Sequence, residues 1–196
     1  MDYEALERVL GHTFQDKALL ETALTHTSFA NEARHGTKHN ERLEFLGDSV
    51  LSIVVAEYLF THSSLPEGDL TRMRASLVCE AALFTFAQKI GLGRWLRLGH
   101  GEEMGGGRTR PSVVSDAFEA VIAALYLDGG IDAARAFILP FVTSALTKQS
   151  AEEDYKTKLQ EVVQQNPSER LRYVVASQTG PDHDKHFVVE VHLNSN

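Results

Sequence analysis

Apolar and polar positions alternate with a helical period through the first three-quarters of the chain, and no sustained two-residue alternation interrupts them. The pattern predicts helices over 2–10, 16–25, 40–62, 66–90, 111–128 and 131–148. Punctuation agrees. "THSSLPEGD" parts the third from the fourth, with Pro66 suited to a first helical turn, and "DGG" at 128–130 closes the fifth. The stretch 91–110, "GLGRWLRLGHGEEMGGGRTR", carries seven glycines and is expected to be an irregular loop. Near residue 150 the period changes. "SAEEDYKTKLQEVVQQN" reads as a capped amphipathic helix, and "RLRYVVASQTGPDHDKHFVVEVHL" gives two β-branched runs about a Gly-Pro turn, a hairpin pattern. One helix and one hairpin bury little by themselves, so this tail reads as an incomplete domain.

Within the third helix, "NERLEFLGDSVL" places Glu41, Glu44 and Asp48 in roughly a 60° sector of one face. The sector continues through Leu51, Val55 and Leu59, while Leu43, Leu46, Val50, Ile53 and Val54 fill the other side, so the helix is expected to be buried. Acids at a helix start gain about 0.3–1 kcal/mol each from the macrodipole, which accounts for Glu41 and partly for Glu44. Asp48 lies beyond that effect, next to Gly47, which costs about 1 kcal/mol relative to alanine. Alone, the stripe fits a solvated helix end as well as a buried site.

A second pair shifts the balance. In "VVSDAFEAVIAALYLDGG", Asp116 and Glu119 share a face with Ala120 and Ala123, small enough to admit a neighbour, while Val114, Phe118, Val121, Ile122 and Leu125 take the other. If the two acidic faces meet, four or five carboxylates share a pocket and need a cation to stay ionised. An all-oxygen ligand set selects a hard divalent ion, Mg²⁺, with Mn²⁺ able to substitute. Helical rise puts Glu44 and Asp48 about 6 Å apart along the axis and Glu41 about 10 Å from Asp48, so Glu41 belongs at the pocket edge. His35 and His39 lie in a polar stretch and read as loop histidines.

No Ser/His or Cys/His nucleophile pattern is evident, which points to hydrolysis of a phosphate ester by activated water. The glycines follow no strand and no phosphate-cradling "GxxxxGK[ST]" occurs, so nucleotide-binding folds are excluded. With 43% hydrophobic and 23% charged residues the chain is an ordinary globular one. It lacks both an apolar run of roughly 20 residues and a signal-peptide start, so a cytoplasmic protein with no membrane partner and no organic cofactor is expected. Cys79, the one cysteine, excludes an internal disulfide and reads as a small core residue. The net charge of −8 argues against a nucleic-acid partner.

Several stretches nevertheless resemble the ribonuclease III family: "NERLEFLGDSVL", "ALTHTSF", "PEGDLTRMRASLV" and "LGHGEEMGGGRTRPSVVSDAFEAVIAALYLDGG", in that order. The resemblance implies an all-α nuclease domain over 1–148, a linker at 149–153, and over 154–196 the first helix and hairpin of an α+β double-stranded RNA-binding domain. It further implies a homodimer whose groove holds double-stranded RNA, cut in a metal-dependent reaction leaving 5′-phosphate and 3′-hydroxyl ends, in rRNA and mRNA processing. By motif position the metal ligands are Glu44, Asp116 and Glu119, Asp48 is a further essential acid counted with them in the metal site, and Asp48 and Glu119 are the catalytic pair. Glu41 and Glu67 match supporting acids, although Glu67 fits a first-turn helix acid equally well. Phe45 matches a dimer-interface position or plain core. In the tail, Gln160, Gly180, Pro181 and His183 match RNA-contacting positions. The third strand and second helix, where that family concentrates lysines, are missing, which answers the charge objection. Two other readings compete: an all-α Mg²⁺-dependent nucleotide pyrophosphatase, and a noncatalytic RNA-binding scaffold.

Overall fold

The computed structural model describes residues 3–33, 36–164, 171–179 and 185–193. It divides into two units, Met1–Ala145 and Leu146–Asn196. The first is helical: α1 (Tyr3–Leu10), α2 (Lys17–Ala23), α3 (Thr27–Glu32), α4 (Glu41–His62), α5 (Glu67–Val78), α6 (Glu80–Lys89) and α7 (His100–Met104) precede α8 (Pro111–Gln164), whose residues from 146 onward belong to the second unit. Helical assignment in α8 runs through 149–153, where a linker was expected; its one non-helical residue is Gly130, at φ 75° and ψ −174°. That left-handed region is open to glycine and costly for other residues. The "DGG" stop therefore kinks the chain at the expected place.

Phe118 anchors the core. It is 1% exposed, and its ring lies 5.3–6.2 Å from those of Phe86, Phe137 and Phe141. Burial of one such side chain contributes about 1.5–3 kcal/mol. Because Phe118 adjoins Glu119, this packing also fixes the turn of α8 that carries Asp116 and Glu119. Ala120, Ala123, Leu51 and Val55 are fully buried as well.

Other expectations change. The predicted helix 66–90 is two helices, broken at Cys79, whose φ −75° and ψ 157° are extended. Cys79 is exposed rather than part of the core. On α4, expected to be buried all round, Phe45, Ile53 and Phe60 are 79%, 59% and 77% exposed. They fall on one side of the helix, leaving an uncovered apolar line.

The segment 91–110 is ordered rather than irregular: two 3-10 turns, Leu92–Trp95 and Gly107–Thr109, flank α7. Arg108 organises it, donating from Nη1 to the carbonyls of Gly93, Arg94 and Leu96 at 2.9–3.2 Å and from Nε to Glu103 at 2.6 Å. Arg110 pairs with Glu102, and Arg97 with Glu21 while covering the Phe29 ring. These arginines hold the loop together.

In the second unit, β1 (Leu171–Thr179) and β2 (His186–Leu193) form the expected antiparallel hairpin, with a register shift between Val175 and Ser177. Tyr173, Val175, Phe187 and Val189 are exposed. The expected turn residues Gly180, Pro181 and His183 lie outside the described residues, as does His35. Gln160 falls on helical backbone, with its side chain outside the described part. Among the described residues, no helix is long and apolar enough to cross a membrane.

Candidate metal centre

Where α4 crosses α8, the two acidic faces of the sequence meet. One carboxylate oxygen each from Glu44, Asp116 and Glu119 lies within 4.8 Å of the others. The crossing is close because of Gly47. A Cβ there would stand 1.9 Å from the backbone oxygen of Glu119 and 2.5 Å from its carbonyl carbon. The helix cost of glycine at this position is offset by bringing Glu44 within reach of α8.

Each of the three acids is half-buried, and each carboxyl is harder to ionise than usual. Burial raises Glu44, with Asp116 and then Glu41 adding like charge. Burial also raises Asp116, with Glu80 adding to the effect and His26 opposing it. Glu119 moves furthest, from the usual 4.5 to about 8, through burial first and then the charges of Asp48, Asp116 and Glu44. Three oxygens converge in partly dry surroundings, and among the described residues no lysine or arginine offsets their raised pKa values, which matches the donor set of a hard divalent cation.

The remaining predicted residues separate. Asp48 is exposed and outside the three-oxygen group, yet near enough to act on Glu119. Glu41 sits at the edge, exposed, with its carboxylate 3.7 Å from His39 Nδ1. Glu67 is in the first turn of α5, where it accepts a hydrogen bond from Thr71 Oγ1 at 2.8 Å, as a first-turn acid would. Two residues went unnoticed in the sequence: His26 and Glu80. The charge of Glu80 acts on Asp116 from the first turn of α6, which the break at Cys79 starts there, and no glycine or proline announced that break.

The comparisons with known proteins agree with this geometry. Residues 16–146 match the family model described as Ribonuclease-III-like. The chain belongs to the ribonuclease III family. Residues 155–196 match the double-stranded RNA binding motif, so the family's nuclease fold is followed here by an RNA-binding module. Ribonuclease 3 of Oceanobacillus iheyensis is 47% identical over 97% of this chain and 86% of that protein. Ribonuclease 3 of Caldanaerobacter subterraneus is 48% identical over 96% and 84%. A crystallised nuclease domain of ribonuclease III from Campylobacter jejuni, studied for flexibility in a region involved in dimer formation, superposes with a TM-score of 0.67. It is 42% identical and covers 73% of this chain and 97% of its own. The ribonuclease III family is metal-dependent, and this member has an acidic cluster at Glu44, Asp116 and Glu119.

Proposed function

We propose that Glu44, Asp116 and Glu119 hold Mg²⁺, or Mn²⁺ in its place, and that this centre hydrolyses phosphodiesters of double-stranded RNA. As a member of its family the chain is a double-stranded RNA endonuclease of RNA processing. The single observation that carries the metal assignment is the convergence of three carboxylate oxygens from α4 and α8. All three oxygens lie within 4.8 Å of one another, so the three side chains would together hold an oxygen-seeking divalent cation. When bound, Mg²⁺ supplies Lewis acidity at the phosphate and a readily ionised water.

This chain's own groups do the rest. Glu119, protonated near neutrality when alone, would hold the cation as a carboxylate, having released that proton to solvent, and would help to orient the attacking water. Asp48, exposed beside it, is placed to receive a proton from that water. Glu41 tunes the field at the rim; Glu67, on α5, is a supporting acid outside the cluster.

The nuclease unit spans 1–148, and 154–196 are the RNA-binding portion, with contacts at Gln160, Gly180, Pro181 and His183. A homodimer is supported by the exposed line Phe45, Ile53 and Phe60 on α4, too large an apolar surface to leave in water. We place the protein in the cytoplasm with no organic cofactor.

The test is to incubate the chain with long double-stranded RNA and, separately, with deoxynucleoside triphosphates, with and without Mg²⁺. Mg²⁺-dependent duplex cleavage, lost in Asp48→Ala and Glu119→Ala, is the expected result. Release of pyrophosphate, or RNA retention without cutting, would sink the assignment.

A further inference from the structure

A cleft on the far side of α4 from the acids has no part in the chemistry above. It has a volume of about 490 Å³ and opens between α2, the segment 37–39 that leads into α4, and the end of the α8 stretch before the kink. At about 100° per residue, Arg42 and Leu46 stand roughly 160° around α4 from Glu44, so the cleft and the metal centre use opposite sides of one helix. Its size falls within the roughly 300–1,000 Å³ of small-molecule sites.

The lining is chemically divided. Leu19, Leu43, Leu46 and Leu127 give an aliphatic floor. Lys38 and Arg42 line it from the α4 side. Among the described residues neither of these two cations has a carboxylate partner, whereas Arg97, Arg108 and Arg110 are all paired. On a chain of net charge −8, two free cations at one apolar hollow mark it as a place for an anion. From α2 come acceptors: Asp16, whose Oδ1 takes the Ala18 N–H at 2.9 Å, and Thr22, whose Oγ1 donates to the Ala18 carbonyl at 2.7 Å and keeps lone pairs to accept.

Bonds outside the hollow hold it in shape. Asp16 N donates to Asp128 Oδ1 at 2.9 Å, which fixes the start of α2 to the residue after Leu127. Asn40, 3% exposed, donates from its N to Thr25 O at 2.9 Å and accepts from Leu43 N at 2.8 Å, fixing the chain that runs from Lys38 into α4. A ligand therefore meets a preformed site and bears little ordering cost. A phosphate monoester carries a charge of about −1.5 to −2 near neutrality, which matches the two cations. A fatty carboxylate would bring a single charge and lay its tail over Asp16 and Thr22, leaving their acceptors unpaired. A heterocyclic base offers apolar faces to the leucines and N–H donors along its edge, and a ribose adds hydroxyls.

We propose that this cleft is a second, noncatalytic site that binds a nucleoside monophosphate, with the phosphate between Lys38 and Arg42, the base against the leucines, and base or ribose donors towards Asp16 and Thr22. The proposal goes beyond the endonuclease reading and stands without the metal.

The test is isothermal titration calorimetry of the full chain in EDTA with AMP, GMP, CMP and UMP in turn, and with their nucleosides, inorganic phosphate and octanoate. At least one nucleotide is expected to bind with a Kd below about 1 mM. Its nucleoside and inorganic phosphate should each bind at least about tenfold more weakly, because each offers half of the contacts. Arg42→Gln and Lys38→Gln, at exposed positions that leave the Tm unchanged, should each weaken the nucleotide about tenfold. Glu44→Gln should bind it as the wild type does. The proposal is overturned if no nucleotide binds at about 1 mM, or if binding is indifferent to both cation variants. Binding that fails in Glu44→Gln would put the nucleotide at the acids, and octanoate binding as tightly as the nucleotide would make the hollow a fatty-acid site; either result overturns it too.

Discussion

The Oδ2 atom of Asp128 lies 2.7 Å from His12 Nε2, joining the end of the α8 segment before the kink to the turn after α1. The same carboxylate accepts from the backbone N–H of Gln15 at 3.1 Å and of Asp16 at 2.9 Å, and its side chain is 2% exposed. Burial pushes this carboxyl up, but the Asp16 amide, His12 and the Gln15 amide together hold it below the usual range. Asp128→Asn is expected to cost about 1.5–3 kcal/mol in urea unfolding, as loss of charge-assisted hydrogen bonds does. Mn²⁺ affinity should be unchanged; a variant as stable as wild type would show the clamp to be idle.

Glu7 is the acid counterpart on α1, paired with Lys17 and accepting from Phe14 N at 2.7 Å. The Lys17 bond chiefly holds its carboxyl low. Carboxyls lowered in the fold contribute stability above the unfolded pKa and lose it as pH falls through the folded one. Unfolding monitored by circular dichroism should therefore show stability declining below about pH 4, less steeply in Asp128→Asn.

Glu119 works in the opposite sense. Its folded pKa, about 8 against the usual 4.5, means that the native state keeps a proton which the unfolded chain releases between those values. Stability without metal then falls as pH rises through that window. In EDTA, the Tm of the wild type should drop between about pH 5 and pH 8 relative to Glu119→Gln. Added Mg²⁺ should remove most of the drop in the wild type only. Parallel curves in EDTA would count against a strained carboxylate.

Gly47→Ala puts a methyl group against backbone, which cannot swing aside as a side chain would. Overpacking of this kind costs about 1–3 kcal/mol or more. The helices must part, so cleavage should fall more steeply than stability. Full cleavage activity in the alanine variant would mean that α4 and α8 tolerate a wider crossing.

Phe45→Ala should weaken self-association, read by sedimentation equilibrium, with little loss in monomer stability because this ring is exposed. A sedimentation profile matching wild type would remove Phe45 from the interface.

How much of this could be read beforehand depended on whether the cause was local. Helix period and the "PEGD" and "DGG" punctuation located α4, the start of α5 and the kink, because those signals act within a few residues. The acids at 44, 116 and 119 were legible because carboxylates on otherwise apolar helices need an explanation. The break at Cys79 was not, since ordinary residues there adopt extended backbone for tertiary reasons. His26 was also missed: it is the N-cap of α3, where histidine is not among the preferred residues, and its charge acts on Asp116 only on folding. The exposure of Phe45, Ile53 and Phe60 escaped periodicity too, because an apolar residue awaiting a second chain is written like one already in a core.

Arg108 has one more implication. Glycines leave the 91–110 segment with little side-chain mass to pack, so its shape hangs on a single planar cation saturating three carbonyls at once. Lysine, with a point charge and no fork, could not bond those carbonyls and the Glu103 carboxylate at the same time. The loop thus behaves as a hinge-free bracket whose rigidity is electrostatic in origin, and its geometry should loosen in concentrated guanidinium well before the aromatic cluster around Phe118 gives way.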